Sequence, residues 1–139
     1  MLTAAAELIE RCTDNYEKPT FELPFTEVNG HQVRIREEIV HTLPYCNLLH
    51  FRRSGEYQHP KLLIIAPMSG HYATLLRGTV EQFIPDHEVY ITDWVNAREV
   101  PLEEGSFSFD DYVRYLIEFL QLLGPDTHVI GVCQPSVPA

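Results

Sequence analysis

One cysteine stands where a reactive side chain would be useful. Cys133 lies in Gly131-Val-Cys-Gln-Pro135, directly after the short apolar run His128-Val-Ile-Gly-Val132. A small-x-nucleophile-x-small pattern suits a chain that leaves a buried strand, turns sharply at a reactive residue and enters a helix. The requirement is steric: the nucleophile takes an unfavourable backbone conformation, and strand and helix nearly collide two residues to either side. Gly131 meets that need directly. Pro135 departs from the usual small residue, but it is preorganised for a first helical turn and lacks the N–H that would go unpaired there. A thiolate at this point could attack a carbonyl carbon, and a helix starting just after it would favour the anion. A plainer reading stands beside this one, since a cysteine at the end of an apolar strand often behaves as a small hydrophobe.

A second stretch fits the first. Lys61-Leu-Leu-Ile-Ile-Ala66 is a continuous apolar run, the composition of a parallel strand buried on both faces. It opens into Pro67-Met-Ser-Gly-His71, after which Ala73, Leu76, Val80, Phe83 and Ile84 recur with a helical period until Pro85. In the α/β-hydrolase fold the oxyanion hole takes one backbone N–H from the residue after the nucleophile and another from an earlier strand-to-helix loop. The candidates are Gln134 and Ser69, ahead of Met68; the backbone donates, so their side chains need not matter. In that fold the nucleophile precedes the acid and the base, yet all seven histidines precede Cys133. His71 therefore reads as loop or pocket wall. Asp93, at a strand end, either lines the site or caps a turn, and Asp110 and Asp111 are favourable charges in a helix's first turn. Trp94, Tyr45 and Tyr72 read as core or rim, although aromatics on strand-end loops would suit an apolar ligand.

The elements that must position these residues follow from the pattern. Residues 1–24 form a peripheral N-terminal segment in which Ala6, Ile9 and Cys12 give a weak amphipathic spacing. Phe25-Thr-Glu-Val28 and Gln32-Val-Arg-Ile-Arg36 flank Asn29-Gly30, a strong short signal for a hairpin with a type I′ turn. A third strand is expected over Asn47–Phe51, and another over Glu88–Thr92. Ser108 and Asp111 resemble a capping box, and Tyr112, Leu116, Phe119, Leu120 and Leu123 line one side of a helix that ends at Gly124-Pro125. From Lys61 onward the order is β-α-β-α-β ending on Cys133. That order predicts an α/β class with a parallel sheet, right-handed crossovers and helices on its faces, with chemistry at the carboxyl ends of the strands.

Bulk properties narrow the function. The 139 residues suffice for one domain or part of one. A formal charge of −10 disfavours nucleic acid and anionic membrane surfaces as partners. The start has no basic n-region and its apolar run is broken by Glu7, so no secretory signal is expected; no run approaches the length of a transmembrane segment. Three cysteines without a CxxC pair point to a reducing compartment, by default the cytoplasm. Cys46 and His50 make a single C-x3-H with no second ligand pair nearby, so no metal site is expected.

Several stretches together carry a resemblance. Pro67-Met-Ser-Gly-His-Tyr-Ala-Thr-Leu-Leu-Arg77, Asp86-His-Glu-Val-Tyr-Ile-Thr-Asp-Trp94, Phe109-Asp-Asp-Tyr-Val113 and Val129-Ile-Gly-Val-Cys-Gln-Pro-Ser136 resemble the intracellular polyhydroxybutyrate (polyhydroxyalkanoate) depolymerases. The resemblance spans nearly the whole chain, more loosely before Tyr45. It implies an α/β-hydrolase fold, a cysteine nucleophile, no cofactor, and hydrolysis of a stored polyester in bacterial cytoplasm, on or near polyester granules. By position, Cys133 matches the nucleophile and Pro67–His71 the oxyanion loop. The implied acid and base follow the nucleophile, and the sequence ends six residues after Cys133. Residues 1–139 are therefore expected to be an incomplete α/β-hydrolase domain that is inactive alone. Two rival readings remain. A polyhydroxyalkanoate synthase-like acyltransferase also uses an elbow cysteine, but synthases typically place glycine where this chain has Pro135. A non-catalytic granule-binding or interaction protein is the other.

Overall fold

The computed structural model describes residues 18–68 and 72–137. Its strands are β1 (Phe25–Val28), β2 (His31–Leu43), β3 (Cys46–Arg53), β4 (Lys61–Ile65), β5 (Glu88–Trp94) and β6 (His128–Gly131). They form one sheet in the order β1-β2-β3-β5-β4-β6. Among the described residues two α-helices accompany it, α1 (Arg77–Phe83) and α2 (Phe109–Leu123).

This architecture corrects the expected α/β-hydrolase fold. The pairs β1–β2, β2–β3 and β3–β5 are antiparallel, and only β4 pairs in parallel, with β5 and β6. With helices of 7 and 15 residues, the chain is a small, mostly-sheet domain with a mixed sheet rather than a parallel sheet layered by helices. The physical source of the discrepancy is β2. It runs 13 residues, well past Arg36, through Glu37-Glu-Ile-Val-His-Thr-Leu43, where the alternation of apolar and polar residues breaks down. A bulge between Ile39 and His41 shifts its register against β3, so the period-2 signal is lost while the ladder continues. Antiparallel pairing therefore dominates the sheet.

Local expectations fare differently. Asn29 and Gly30 both take positive φ, 52° and 79°, which is what a type I′ turn demands, and Val28 pairs with His31 across it. Val33 and Ile35 are buried while Arg34 and Arg36 are exposed. Every residue from Leu62 to Ala66 is at most 2% exposed, so this strand, which lies between β5 and β6 in the sheet, is buried on both faces. Ser108 accepts from the Asp111 N–H while the Asp111 carboxylate accepts from the Ser108 N–H, a complete capping box. Helix α2 then buries Tyr112, Leu116, Phe119 and Leu123 on one stripe.

The N-terminal segment also needs correction. Residues 1–17, with Ala6, Ile9 and Cys12, lie outside the described residues. Of the remainder, Phe21 and Leu23 are core residues rather than peripheral ones, with Phe21 packed edge-on against Phe51 at 4.9 Å. Burying one such ring is worth about 1.5–3 kcal/mol. Two alternate apolar residues followed by Pro24 are too short a pattern to register as a strand, although they cover the core. Arg53 closes the same side: its buried guanidinium donates to the Ile84 and Pro85 carbonyls at 3.0 and 2.9 Å, tying the end of β3 to the end of α1. Among the described residues no helix is long and apolar enough to cross a membrane.

His50 gives the fold a pH dependence. It is 4% exposed on β3, its ring stacked on Tyr90 at 4.2 Å. Burial holds its pKa below the usual histidine value, with Glu88 opposing and Arg52 reinforcing the shift. The unfolded chain therefore binds the proton more readily than the fold does. The stabilising contribution is complete above about pH 6.5, the unfolded value, and is lost as pH falls through the folded pKa. The melting temperature should fall between pH 7.5 and pH 5.5, and His50→Gln should flatten that slope. An unchanged slope in the variant would assign the loss to other groups.

Candidate functional site

The end of β4 is held open by side chains of β5. The main-chain ladder between these strands reaches Ile64 opposite Ile91. Beyond it, Thr92 Oγ1 accepts from the Ala66 N–H and Trp94 Nε1 donates to the Ala66 carbonyl, each at 2.9 Å. Buried backbone groups that have left the sheet are thereby satisfied. The chain is then free to leave the sheet at Pro67. Trp94 in turn stacks on Tyr112 of α2, with ring centroids 4.8 Å apart and planes 15° apart. Neither Thr92 nor the Trp94 N–H is marked in the sequence by more than its place at a strand end.

On the other side of β4, Gly131 is the last residue of β6 and pairs with Ile65. Val132 still donates to the Ile65 carbonyl at 3.2 Å. Cys133 then takes φ 65° and ψ −121°. This is the mirror image of the first central position of a type II turn, a conformation that glycine ordinarily supplies. A side chain there carries strain of order 1–3 kcal/mol and persists only where neighbours over-determine it. Here Ser136 does so: its N–H and its hydroxyl both donate to the Cys133 carbonyl, at 3.1 and 2.6 Å. Ser136, which lies outside the pentapeptide pattern, holds the Cys133 backbone in this conformation.

Gly131 fits the steric expectation. A Cβ built on it would lie 2.9 Å from the Pro135 carbonyl oxygen and 3.0 Å from both the Pro135 carbon and the Ser136 nitrogen. Those atoms are backbone and cannot swing aside. The helix expected after Cys133 is, among the described residues, a single 3-10 turn over Gln134–Ser136.

Two free cysteines are described and they differ sharply. Cys133 is exposed. Cys46 is fully buried, and burial, reinforced by the negative charge of Asp93, pushes its thiol well above the usual range. Of these two, Cys46 is a core hydrophobe and Cys133 is the thiol a reagent can reach. Cys46 and His50 sit four residues apart on one strand, about 13 Å along it, too far to share a metal ion. Among the described residues no group of three or more His, Cys, Asp or Glu could hold a metal.

An apolar pocket of about 320 Å³ adjoins the turn, lined by Met68, Phe109, Tyr112, Gln134, Pro135 and Val137. It lies where the exits of β4 and β6 meet the first turn of α2, and its lining is mostly apolar. Its size lies within the range of small-molecule sites.

Of the other residues singled out in the sequence, Gln134 opens the turn and lines the pocket. Ser69 and His71 lie outside the described residues. Asp93 is not in the pocket wall; it is buried and paired with Lys18. Asp111 is spent on the capping box and on Arg114. Tyr45 donates to the Gly105 carbonyl and packs on Phe107 at 4.7 Å, which places it at the rim of the aromatic layer. No family model, no curated protein and no solved structure matches the chain.

Proposed function

We propose that Cys133 is the nucleophile of an acyl-transfer site for apolar esters, with polyhydroxyalkanoate ester bonds as the substrate class. The observation that carries this reading is the strained backbone at Cys133, φ 65° and ψ −121°, in a residue whose side chain is exposed. An ordinary structural cysteine has no need of such a conformation, and strain of this kind clusters at functional sites. The apolar pocket beside Gln134 and Pro135 supports an acyl group with little charge.

In this reading the Cys133 thiolate attacks the ester carbonyl carbon, and the carbonyl electrons move onto oxygen. Backbone N–H groups of Gln134 and Ser69, assigned by position, hold that oxyanion. Collapse breaks the C–O bond, the departing alkoxide takes a proton and leaves as an alcohol, and a thioester remains on Cys133. Water then hydrolyses the thioester, releasing the carboxylic acid and restoring the thiol. The setting that accompanies this reading is the bacterial cytoplasm at a polyester granule, in keeping with three cysteines that form no CxxC pair and with a net charge of −10 that disfavours nucleic acid.

An activated donor is expected to acylate the thiol once even in a chain that does not turn over polyester. The p-nitrophenyl ester of 3-hydroxybutyrate should give a burst of nitrophenol close to one equivalent per chain, followed by slow release. Cys133→Ala should remove the burst. An equal burst in that variant, or none in the parent chain, would overturn the reading.

A further inference from the structure

The pocket beside the Cys133 turn gathers apolar side chains that the core does not use. Phe109, Met68 and Val137 are 61%, 45% and 81% exposed, yet all three line this one pocket of about 320 Å³. Single apolar residues scattered over a surface need no explanation, but several around one concavity mark a binding site. Among the described residues the lining holds no Lys, Arg or His that could pair with a carboxylate. The group it suits is therefore neutral and apolar rather than an anion.

Size narrows that group. An apolar cavity of about 150 Å³ takes up benzene, so at the same packing a volume about twice as large holds about ten to twelve carbons. This pocket is partly open to solvent, which brings the well-covered length to about eight to ten. A four-carbon acyl group would leave more than half of it unfilled. The lining is also part rigid and part adaptable. The rings of Trp94, Tyr112 and Phe109 form a ladder, with successive centroids 4.8 and 6.5 Å apart and planes 15° and 6° apart. Met68 is unbranched and polarizable, and it shapes itself to whatever lies against it. A fixed aromatic wall beside an adaptable thioether suits a flexible chain better than a group of one rigid shape.

We propose that this pocket holds an unbranched acyl chain of about eight to ten carbons, and so selects medium-chain acyl groups over four-carbon ones. That the chain belongs to an acyl group rests on the nucleophile reading above, with the carbonyl at Cys133 and the tail beside Gln134 and Pro135; the preference of the pocket for longer apolar chains does not. Each methylene is worth about 4-fold in Kd when fully buried and about 2-fold when half covered.

The test separates the two claims. In the Cys133→Ala chain, NMR titration with the glycerol monoesters of butanoic, hexanoic and octanoic acid should give Kd values that fall about 2- to 4-fold per added methylene. The shifts should centre on the methyl groups of Met68 and Val137. Phe109→Glu places a carboxylate in the wall and should flatten the series. The fold tolerates that change, because Phe109 is the first residue of α2, where a negative charge is favoured. Leu102→Glu makes the same kind of change at a 95% exposed residue outside the pocket, and should leave the series as it is. A flat series with Phe109 present, a slope unchanged by Phe109→Glu, or lines that broaden with protein concentration as copies of the chain cover the pocket would overturn the proposal. With Cys133 in place, the burst rate at limiting ester should be higher for p-nitrophenyl octanoate than for p-nitrophenyl butanoate by the same factor as the Kd values. A graded Kd series without any burst removes the nucleophile alone; a burst beside a flat series removes the chain-length selection alone.

Discussion

Cys133→Gly should make the chain more stable while abolishing its acylation. At φ 65° and ψ −121° a Cβ is strained and glycine is not. Relief of about 1–3 kcal/mol is offset by the extra freedom glycine has in the unfolded chain, about 0.5–1 kcal/mol. A net gain of about 1 kcal/mol, or roughly 2–4 °C in melting temperature, is the expected result. Cys133→Ala is the control. It removes the same exposed thiol, keeps the Cβ and the strain, and should leave stability nearly unchanged. Both variants should lose the nitrophenol burst completely. A residue kept at the expense of stability is one retained for its chemistry, so the contrast between the two variants bears on function as well as on folding. If glycine destabilises the chain as much as alanine or more, the backbone at Cys133 is not strained, and the principal support for its reactivity is lost.

Gly131→Ala should do the opposite, damaging both stability and chemistry. The new Cβ meets the Pro135 carbonyl group and the Ser136 nitrogen at 2.9–3.0 Å, all backbone atoms of the turn that holds Cys133. The turn must move away from β6 as a unit. Overpacking of this kind costs about 1–3 kcal/mol. Moving the turn also disturbs the two bonds from Ser136 that fix the Cys133 carbonyl. A displacement near 1 Å lowers rates about 100-fold where geometry governs the step. The burst phase with the 3-hydroxybutyrate ester should slow by about that factor. Gly78→Ala on α1 is the matching control, because nothing lies within 4 Å of its built Cβ and alanine is the better helix former. A Gly131→Ala chain with parental burst kinetics would mean that the close approach of strand and turn has no part in placing the thiol.

The backbone geometry of the candidate site was legible because its requirements are local. Gly131 and Cys133 are constrained by atoms within five residues, and a pentapeptide carries that information. The Asn29-Gly30 turn, the capping box at Ser108 and the two-sided burial of Leu62–Ala66 are local in the same sense. The sheet was not. Which strands pair, and in which direction, depends on β2 continuing through Glu37 and Glu38 and across a bulge, and nothing in that run repeats with period two. The α/β-hydrolase expectation failed at that point, since a strand-helix-strand order beginning at Lys61 says nothing about three antiparallel pairs before and beside it. Residues acting at a distance were also hidden. Thr92 and Trp94 satisfy Ala66 from 26 and 28 positions away, and the pocket that Met68, Phe109 and Val137 share is visible only once its walls are assembled.

The central claim is that the reactive atom of this chain is the sulfur of Cys133. Peptide mapping after brief exposure to p-nitrophenyl 3-hydroxybutyrate tests it most directly, because the mass of the acyl group marks the residue that attacked. The acyl group should appear on the peptide containing Cys133, be released by neutral hydroxylamine as a thioester is, and be absent from the peptide containing Cys46. An acyl group found on Cys46 or on a lysine or serine, with Cys133 unmodified, would contradict the account.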